Sequence, residues 1–135
     1  MTKKILSLVL AACALFSIMS VPVYAWNQEF KFELNNNTSV KSMLGKAGKD
    51  DGDIYAYITP HADKSNLRLR RAVVNMRVRD INENYATEYI ECRAYVKYRT
   101  KYLKGKAVAG DDYLLFANVE STNGYPVKLG GLWCP

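Results

Sequence analysis

The stretch from Tyr85 to Arg99 shows the longest strict alternation of apolar and polar side chains in the sequence. Its even positions from 90 to 98 form an apolar row, and its odd positions are charged or tyrosine: Ile90, Cys92, Ala94, Val96 and Tyr98 against Glu91, Arg93, Tyr95, Lys97 and Arg99. A period of two is typical of a β-strand that is buried on one face and wet on the other. We therefore predict one long strand here, with Cys92 turned toward the core.

Five further stretches carry strand patterns, namely 28–34, 53–59, 67–80, 113–119 and 127–133. We expect Pro60 to end the second of these, because proline cannot donate to a ladder. Within 67–80 the apolar positions change parity, which requires either a β-bulge near Arg71 or two short strands. The short polar segment 80–84 predicts a hairpin in which residues 73–79 pair antiparallel with residues 86–96.

The segment 35–53 carries no clear period. It is rich in asparagine, glycine and charge, and it is predicted to form a long mobile loop that Val40, Met43 and Leu44 tether. About six to seven short strands, with frequent turns and no sustained helical period, indicate an all-β fold. We predict a small antiparallel β-sandwich or open barrel.

The first 25 residues have the three zones of a secretory signal peptide. A basic start at Lys3 and Lys4 is followed by an apolar run and by small residues before Trp26. Cleavage there would leave residues 26–135, which suffice for a single domain. One alternative stays open, because the residues before Cys13 resemble a lipobox, in which Cys13 would be lipidated and become the first mature residue. No second apolar run of spanning length follows, so we expect a secreted protein, or an envelope-associated one, without a transmembrane segment.

Export also affects the expected chemical state of the cysteines. Cys92 and Cys134 are the two that a mature chain would keep, and an oxidising compartment permits a bond between them. We predict a disulfide from Cys92 to Cys134. The chain-entropy model gives such a closure about 4 kcal/mol of stabilisation.

The chemical inventory favours a protein that is not an enzyme and needs no cofactor. His61 is the single histidine, and no serine lies in a G-x-S-x-G sequence. A disulfide would remove the thiolate that a cysteine nucleophile needs. The acidic cluster around Gly52 lacks the spacing and the distal glutamate of a calcium loop, so no metal site is predicted. The glutamates that could form a hydrolytic pair all alternate outward on strands, where charge is ordinary.

Positive charge with interleaved aromatics is the least ordinary feature of the chain, whose formal net charge is +6. If the predicted hairpin forms, its two strands present one basic, tyrosine-bearing sheet surface that attracts polyanions. The competing interpretation is an ordinary solubilising face whose arginines pair with acidic side chains across strands. We expect no nucleic-acid partner, because no recognition motif is present. The candidate binding residues are Arg68, Arg70, Arg77, Arg79, Tyr89, Arg93, Tyr95, Lys97, Arg99 and Lys101.

The C-terminal run Gly131-Leu132-Trp133-Cys134-Pro135 resembles the G-x-W-x-P ending of small exported Gram-positive proteins of unknown function. The F-x-F-x-L strand at Phe30 extends this likeness to the other end. The resemblance implies a small exported β domain, associated in some cases with bacteriocin export systems, and it supplies no catalytic residues. Cys134 within the motif is a departure from the family.

Two functions follow as expectations. The first is a secreted, non-enzymatic module that binds anionic wall polymers or lipid headgroups at the cell envelope. The alternative is a bacteriocin-like or toxin-like secreted protein with antagonistic activity. An envelope hydrolase is disfavoured by the catalytic inventory.

Overall fold

The computed structural model describes residues 27–35, 37–62, 73–120 and 126–135. Its elements are eight β-strands: β1 Gln28–Leu34, β2 Val40–Gly48, β3 Tyr55–Ala62, β4 Val74–Asp80, β5 Ile90–Cys92, β6 Tyr98–Lys101, β7 Asp112–Val119 and β8 Val127–Cys134. These ranges contain no helix, and hence none that is long and apolar enough to cross a membrane. The predictions at the signal peptide, at Cys13 and at 67–72, including Arg68 and Arg70, fall outside these ranges.

The strands form two four-stranded sheets in which every pairing is antiparallel. One sheet, called here the β1 sheet, has the order β1-β8-β3-β6, and the other, the β2 sheet, has the order β2-β7-β4-β5. This arrangement confirms the predicted all-β, two-layered class. The sheets are also linked at their edges, because the Lys31 amide donates to Ser42 Oγ at 3.2 Å and the Leu103 amide donates to the Ala86 carbonyl at 2.8 Å.

The core lies between the sheets and follows from the alternation along each strand. Every second residue of a strand points to the same face, so the apolar set of each strand meets its counterpart from the opposite sheet. The β1 sheet contributes Phe30, Phe32, Leu34, Ile58, Leu129 and Trp133, and the β2 sheet contributes Val74, Met76, Val78, Tyr113, Leu115 and Ala117.

The predicted hairpin is confirmed as far as Cys92, but the predicted long strand is wrong. Val74 pairs with Cys92 and Met76 pairs with Ile90, as the hairpin requires. The chain then leaves the β2 sheet through a turn at Tyr95, whose φ is 65°, and β6 joins the other sheet. Both strands bury even-numbered residues, so the alternation continues across the break and the sequence does not reveal it.

The segment predicted as a long loop forms β2 instead. Its register against β7 shifts between Lys41 and Lys46, and Gly45 within this bulge has a φ of 84°, a left-handed conformation that suits glycine. The bulge breaks the period of two, which is why no strand was predicted. Val40 packs against the core, but Met43 and Leu44 are exposed and do not tether the segment.

Pro60 lies inside β3 and does not end it. Its carbonyl accepts a hydrogen bond from the Tyr95 amide at 2.7 Å, on the side of β3 that faces away from β8. The ring nitrogen points to that same side, where the pairing with β6 has already ended at Ile58. Proline is tolerated there because no ladder hydrogen bond is lost.

The predicted disulfide is wrong, because Cys92 and Cys134 are both free thiols. Cys92 points into the core from β5, the edge strand of the β2 sheet. In β8 the inward position belongs to Trp133, so Cys134 points to the opposite, outer face of the β1 sheet, beside Tyr57 and Thr59. A whole sheet layer therefore separates the two side chains.

Candidate functional site

The topology divides the candidate binding residues between two surfaces. Arg77, Arg79 and Tyr89 belong to the outer side of the β2 sheet, whereas the cations from 97 to 101 lie on the outer face of the β1 sheet. Arg93 and Tyr95 lie in the connection from β5 to β6. The single continuous basic surface expected from an unbroken strand is therefore not formed.

On the β2 sheet, the arginines are packed against aromatic rings. The Arg77 guanidinium carbon lies 3.8 Å from the ring centroids of both Tyr85 and Tyr89, and only 9% of its side chain is exposed. Arg79 lies over Tyr85 at 5.0 Å and over Phe116 at 4.1 Å. The contacts on both arginines come from the protein itself, so this face presents tyrosine edges to solvent more than free charge.

Arg77 also has an acidic neighbour, since its Nη2 lies 3.6 Å from a Glu88 carboxylate oxygen. The Nε atoms of Arg77 and Arg79 are buried and make no hydrogen bond. Both observations favour a packing role, in which the guanidinium planes cover apolar surface. Arg77 and Arg79 therefore fit the competing interpretation, an ordinary strand face, better than they fit a binding surface.

The outer face of the β1 sheet is different. β3 and β6 pair with Tyr57 opposite Arg99 and Tyr55 opposite Lys101. Alternation then places Lys97, Arg99 and Lys101 in one exposed line, which we call the cationic row.

Two members of the cationic row rest on tyrosines of the neighbouring strand. The Arg99 guanidinium carbon lies 4.5 Å from the Tyr55 ring centroid, and the Lys97 ammonium lies 5.4 Å from the Tyr57 centroid. Each contact is diagonal across the two strands, a distance that long side chains can span. Such cation–π contacts are worth about 0.5–1 kcal/mol at exposed sites, enough to restrict where each charge is held.

The Tyr57 side chain is held in position by a hydrogen bond. Its hydroxyl donates to a carboxylate oxygen of Asp53 at 3.0 Å. This hydrogen bond, aided by desolvation and by the negative charge of Asp53, raises the pKa of Tyr57. The phenol stays neutral and its ring stays in place under the Lys97 ammonium.

Within the described part of the chain, the cationic row forms no ion pair with a carboxylate. Among the residues that the structure describes, the basic side chains in ion pairs with carboxylates are Lys41, Lys46, Lys49, Arg77 and Lys106. None of the three cations in the row takes part in such a pair. The same face also carries Lys31 of β1 and Lys128 of β8, but β1 places Glu29 and Glu33 beside them.

Two depressions lie on this face. One, of 330 Å³, begins at Lys97 and Tyr57 and reaches Asp51 and Cys134. The other, of 640 Å³, lies over Gly130, with Lys31, Lys128 and His61 at its margin. The cationic row lies at the β6 edge of this face, with both depressions on the side of β3 and β8, and such a row can bind an extended anion.

Both thiols and the Asp51 carboxylate have surroundings that affect their reactivity. Burial raises the pKa of the Cys92 thiol to about 12, and burial also raises that of Cys134. Asp51 accepts hydrogen bonds from the Lys49 ammonium and the Asp53 amide, both at 3.0 Å. In the described ranges, no group of three or more histidine, cysteine or carboxylate side chains could hold a metal ion.

Sequence reasoning missed Tyr55 and Tyr57 as site residues. Their alternation against Ala56 and Ile58 was a visible signal that their rings share an outward face. The missing information was that β6 leaves the hairpin and pairs with β3. No protein-family model matches the sequence, and the comparison with curated proteins found no match.

Proposed function

We propose that this protein is an exported, non-enzymatic binding module that binds anionic polymers of the cell envelope through the outer face of β3 and β6. The observation that carries the proposal is the cationic row, in which three exposed positive charges form no ion pair with a carboxylate of the described ranges and two of them lie over tyrosine rings.

The electrostatics of such a face favour extended polyanions over small ions. A single exposed charge pair is worth at most about 1 kcal/mol. Several pairs made at once by one polymer add up, and they also release condensed counterions, so binding becomes strongly dependent on salt. Small anions gain only one such contact and are displaced by buffer salt.

A salt gradient on immobilised teichoic acid or heparin tests the proposal. We expect the protein to elute above about 0.15 M salt, where the Debye length is already ~8 Å. The K97Q/R99Q/K101Q variant should elute markedly earlier. The matched control is K41Q/K46Q/K106Q, which removes the same charge from ion-paired positions and should elute far less early than the row variant.

Elution of the wild type below that salt concentration would contradict the proposal. Equal shifts for the two triple variants would also contradict it, because retention would then report net charge and not this face. Circular dichroism melts of both variants show whether the fold is intact.

A further inference from the structure

We infer that the ligand is a linear polymer of phosphodiesters joined through short polyols, lying along β6 with successive phosphates at Lys97, Arg99 and Lys101. This inference rests on the proposed function and narrows its ligand class. Its basis is the regular spacing of the three cations and the way in which their tyrosines are covered.

Spacing is the first argument. Alternate residues of an extended chain lie roughly 6.6 Å apart, so the three side chains of the cationic row leave the backbone at points spread over roughly 13 Å, from Lys97 just before β6 to Lys101 at its end. A compact anion reaches one or two of them at a time. A flexible chain with one negative charge in each short repeat can reach all three without bending.

The chemistry of each position fits a phosphate. The Arg99 guanidinium lies over the Tyr55 ring and forms no ion pair with a described carboxylate, so its N–H donors can make a bidentate contact with phosphate oxygens. Lys97 and Lys101 act as point charges on either side of it. Arg99 is therefore the central contact and the lysines extend it in both directions.

The positions of Lys97 and Arg99 over the tyrosine rings argue against nucleic acid as the ligand. Proteins that bind single strands offer bare aromatic faces on which bases stack. Here the faces of Tyr55 and Tyr57 are occupied by Arg99 and Lys97. We therefore assign these tyrosines as positioning residues, which act through the cations, and a polymer without bases is the occupant that fits.

The experiment measures affinity for glycerol-phosphate oligomers of one, two, three and six phosphates by calorimetry at fixed ionic strength. For the wild type we expect about threefold tighter binding with each phosphate up to three, a step within the range of exposed charge pairs. From three to six the gain should be small, because the row offers no fourth position.

Single substitutions in the cationic row test the contribution of each position separately. Lys101→Gln should bind the three-phosphate oligomer no better than the two-phosphate one, since an adjacent pair of cations remains. Arg99→Gln should bind the two-phosphate oligomer little better than the single phosphate, since the two remaining cations lie two repeats apart, and should regain part of the affinity with three phosphates. Lys41→Gln, an ion-paired control, should keep the wild-type dependence on length.

The positioning role of Tyr55 is tested by comparing a variant that removes the ring with one that keeps it. Tyr55→Leu should weaken binding of the three-phosphate oligomer by about threefold or more, while Tyr55→Phe, which keeps the ring, should restore it. A merely structural role for Tyr55 would instead lower the melting temperature without changing the dependence on length.

Failure of this inference can be distinguished from failure of the proposed function. Equal losses of affinity for the two-phosphate oligomer in Lys101→Gln and Arg99→Gln, with affinity set by total charge alone, would overturn the inference and leave the binding face standing. Tighter binding of oligothymidylate or of anionic phospholipid vesicles than of the oligomers would also overturn it. Failure to retain any polyanion would remove the proposed function as well.

Discussion

Two adjacent glycines in β8 have very different surroundings. A Cβ added at Gly131 would lie 2.3 Å from the Thr59 carbonyl oxygen and 2.7 Å from the Phe30 ring. A Cβ at Gly130 would meet only the Phe30 carbonyl oxygen, at 3.4 Å. The absent side chain at 131 is what allows the Phe30 ring to pack directly on the backbone of a central strand.

Gly131→Ala should therefore destabilise the protein by about 3 kcal/mol, at the upper end of overpacking effects, because backbone and ring must both shift. Gly130→Ala should change the free energy of unfolding by less than about 1 kcal/mol. Urea unfolding of the two variants under one condition measures both. Similar losses at the two positions would show that Phe30 does not pack as described.

Lys49 is a lysine with a fully buried side chain. Its ammonium donates to Asp51 at 3.0 Å and to the main-chain oxygen of Pro135 at 3.1 Å, and it lies 5.0 Å from the Tyr102 ring centroid. These partners join the segment before β3 to the end of β8. A buried charge persists because its donors are satisfied.

Lys49→Met should lower the free energy of unfolding by about 1–3 kcal/mol, because it removes the lysine donor from the buried main-chain oxygen of Pro135 and from the half-exposed Asp51 carboxylate. The matched control is Lys46→Met, which breaks the exposed pair with Asp112 and should cost less than about 1 kcal/mol. Chemical denaturation measures both. A loss at Lys49 no larger than that at Lys46 would contradict this account.

At the scale of single strands, the sequence predicts those elements whose alternation is unbroken. β1 follows directly from Phe30, Phe32 and Leu34, and all three are buried as expected. β2 could not be found in this way because its bulge interrupts the period. The break after β5 could not be found either, because the sheet to which a strand belongs depends on its partners and not on its own pattern.

The turn that follows β4 is organised by one carboxylate. Asp80 accepts hydrogen bonds from the amides of Asn84 and Asn82, at 2.9 and 3.0 Å, and from the Asn84 side chain at 3.2 Å. The Lys106 ammonium lies 3.5 Å away. Desolvation alone would raise the pKa of Asp80, but these hydrogen bonds outweigh it and lower the pKa.

A lowered pKa in the folded state gives a definite pH dependence. The ionised carboxylate stabilises the fold above the unfolded pKa, about 3.9, and this contribution is lost as the pH falls through the lower folded value. Asp80→Asn should thus be less stable than wild type by about 1–2 kcal/mol at pH 7, and the difference should shrink below about pH 3. Denaturation at both pH values tests this, and a constant difference would contradict it.

At the scale of the whole molecule, the sequence gives the sign of the surface charge but not its placement. The run from Arg93 to Lys106 is visibly basic, yet the fold divides it at Tyr95 and brings only its later part beside Tyr55 and Tyr57. The arginines of β4 look equally free in the sequence, but aromatic rings cover Arg77 in the structure. Which cations are available is a property of the pairing of the two sheets.

The same layered arrangement keeps the two thiols apart, and this gives a test of the whole fold. Reductant should leave the melting temperature unchanged. Alkylation in denaturant without reductant should label both Cys92 and Cys134, whereas labelling of the native protein should be slow, because burial raises the pKa of the Cys92 thiol to about 12.

Alanine variants add a second measure of the same arrangement. If the thiols are separate, the losses of stability in Cys92→Ala and Cys134→Ala should add in the double variant, as is usual for residues that share no contact. If a bond joined them, either single change would cost as much as both together. A non-additive result, or a mass lower by two hydrogens before reduction, would mean that the two cysteines meet and that the strand pairing around β5 or β8 differs from the one described.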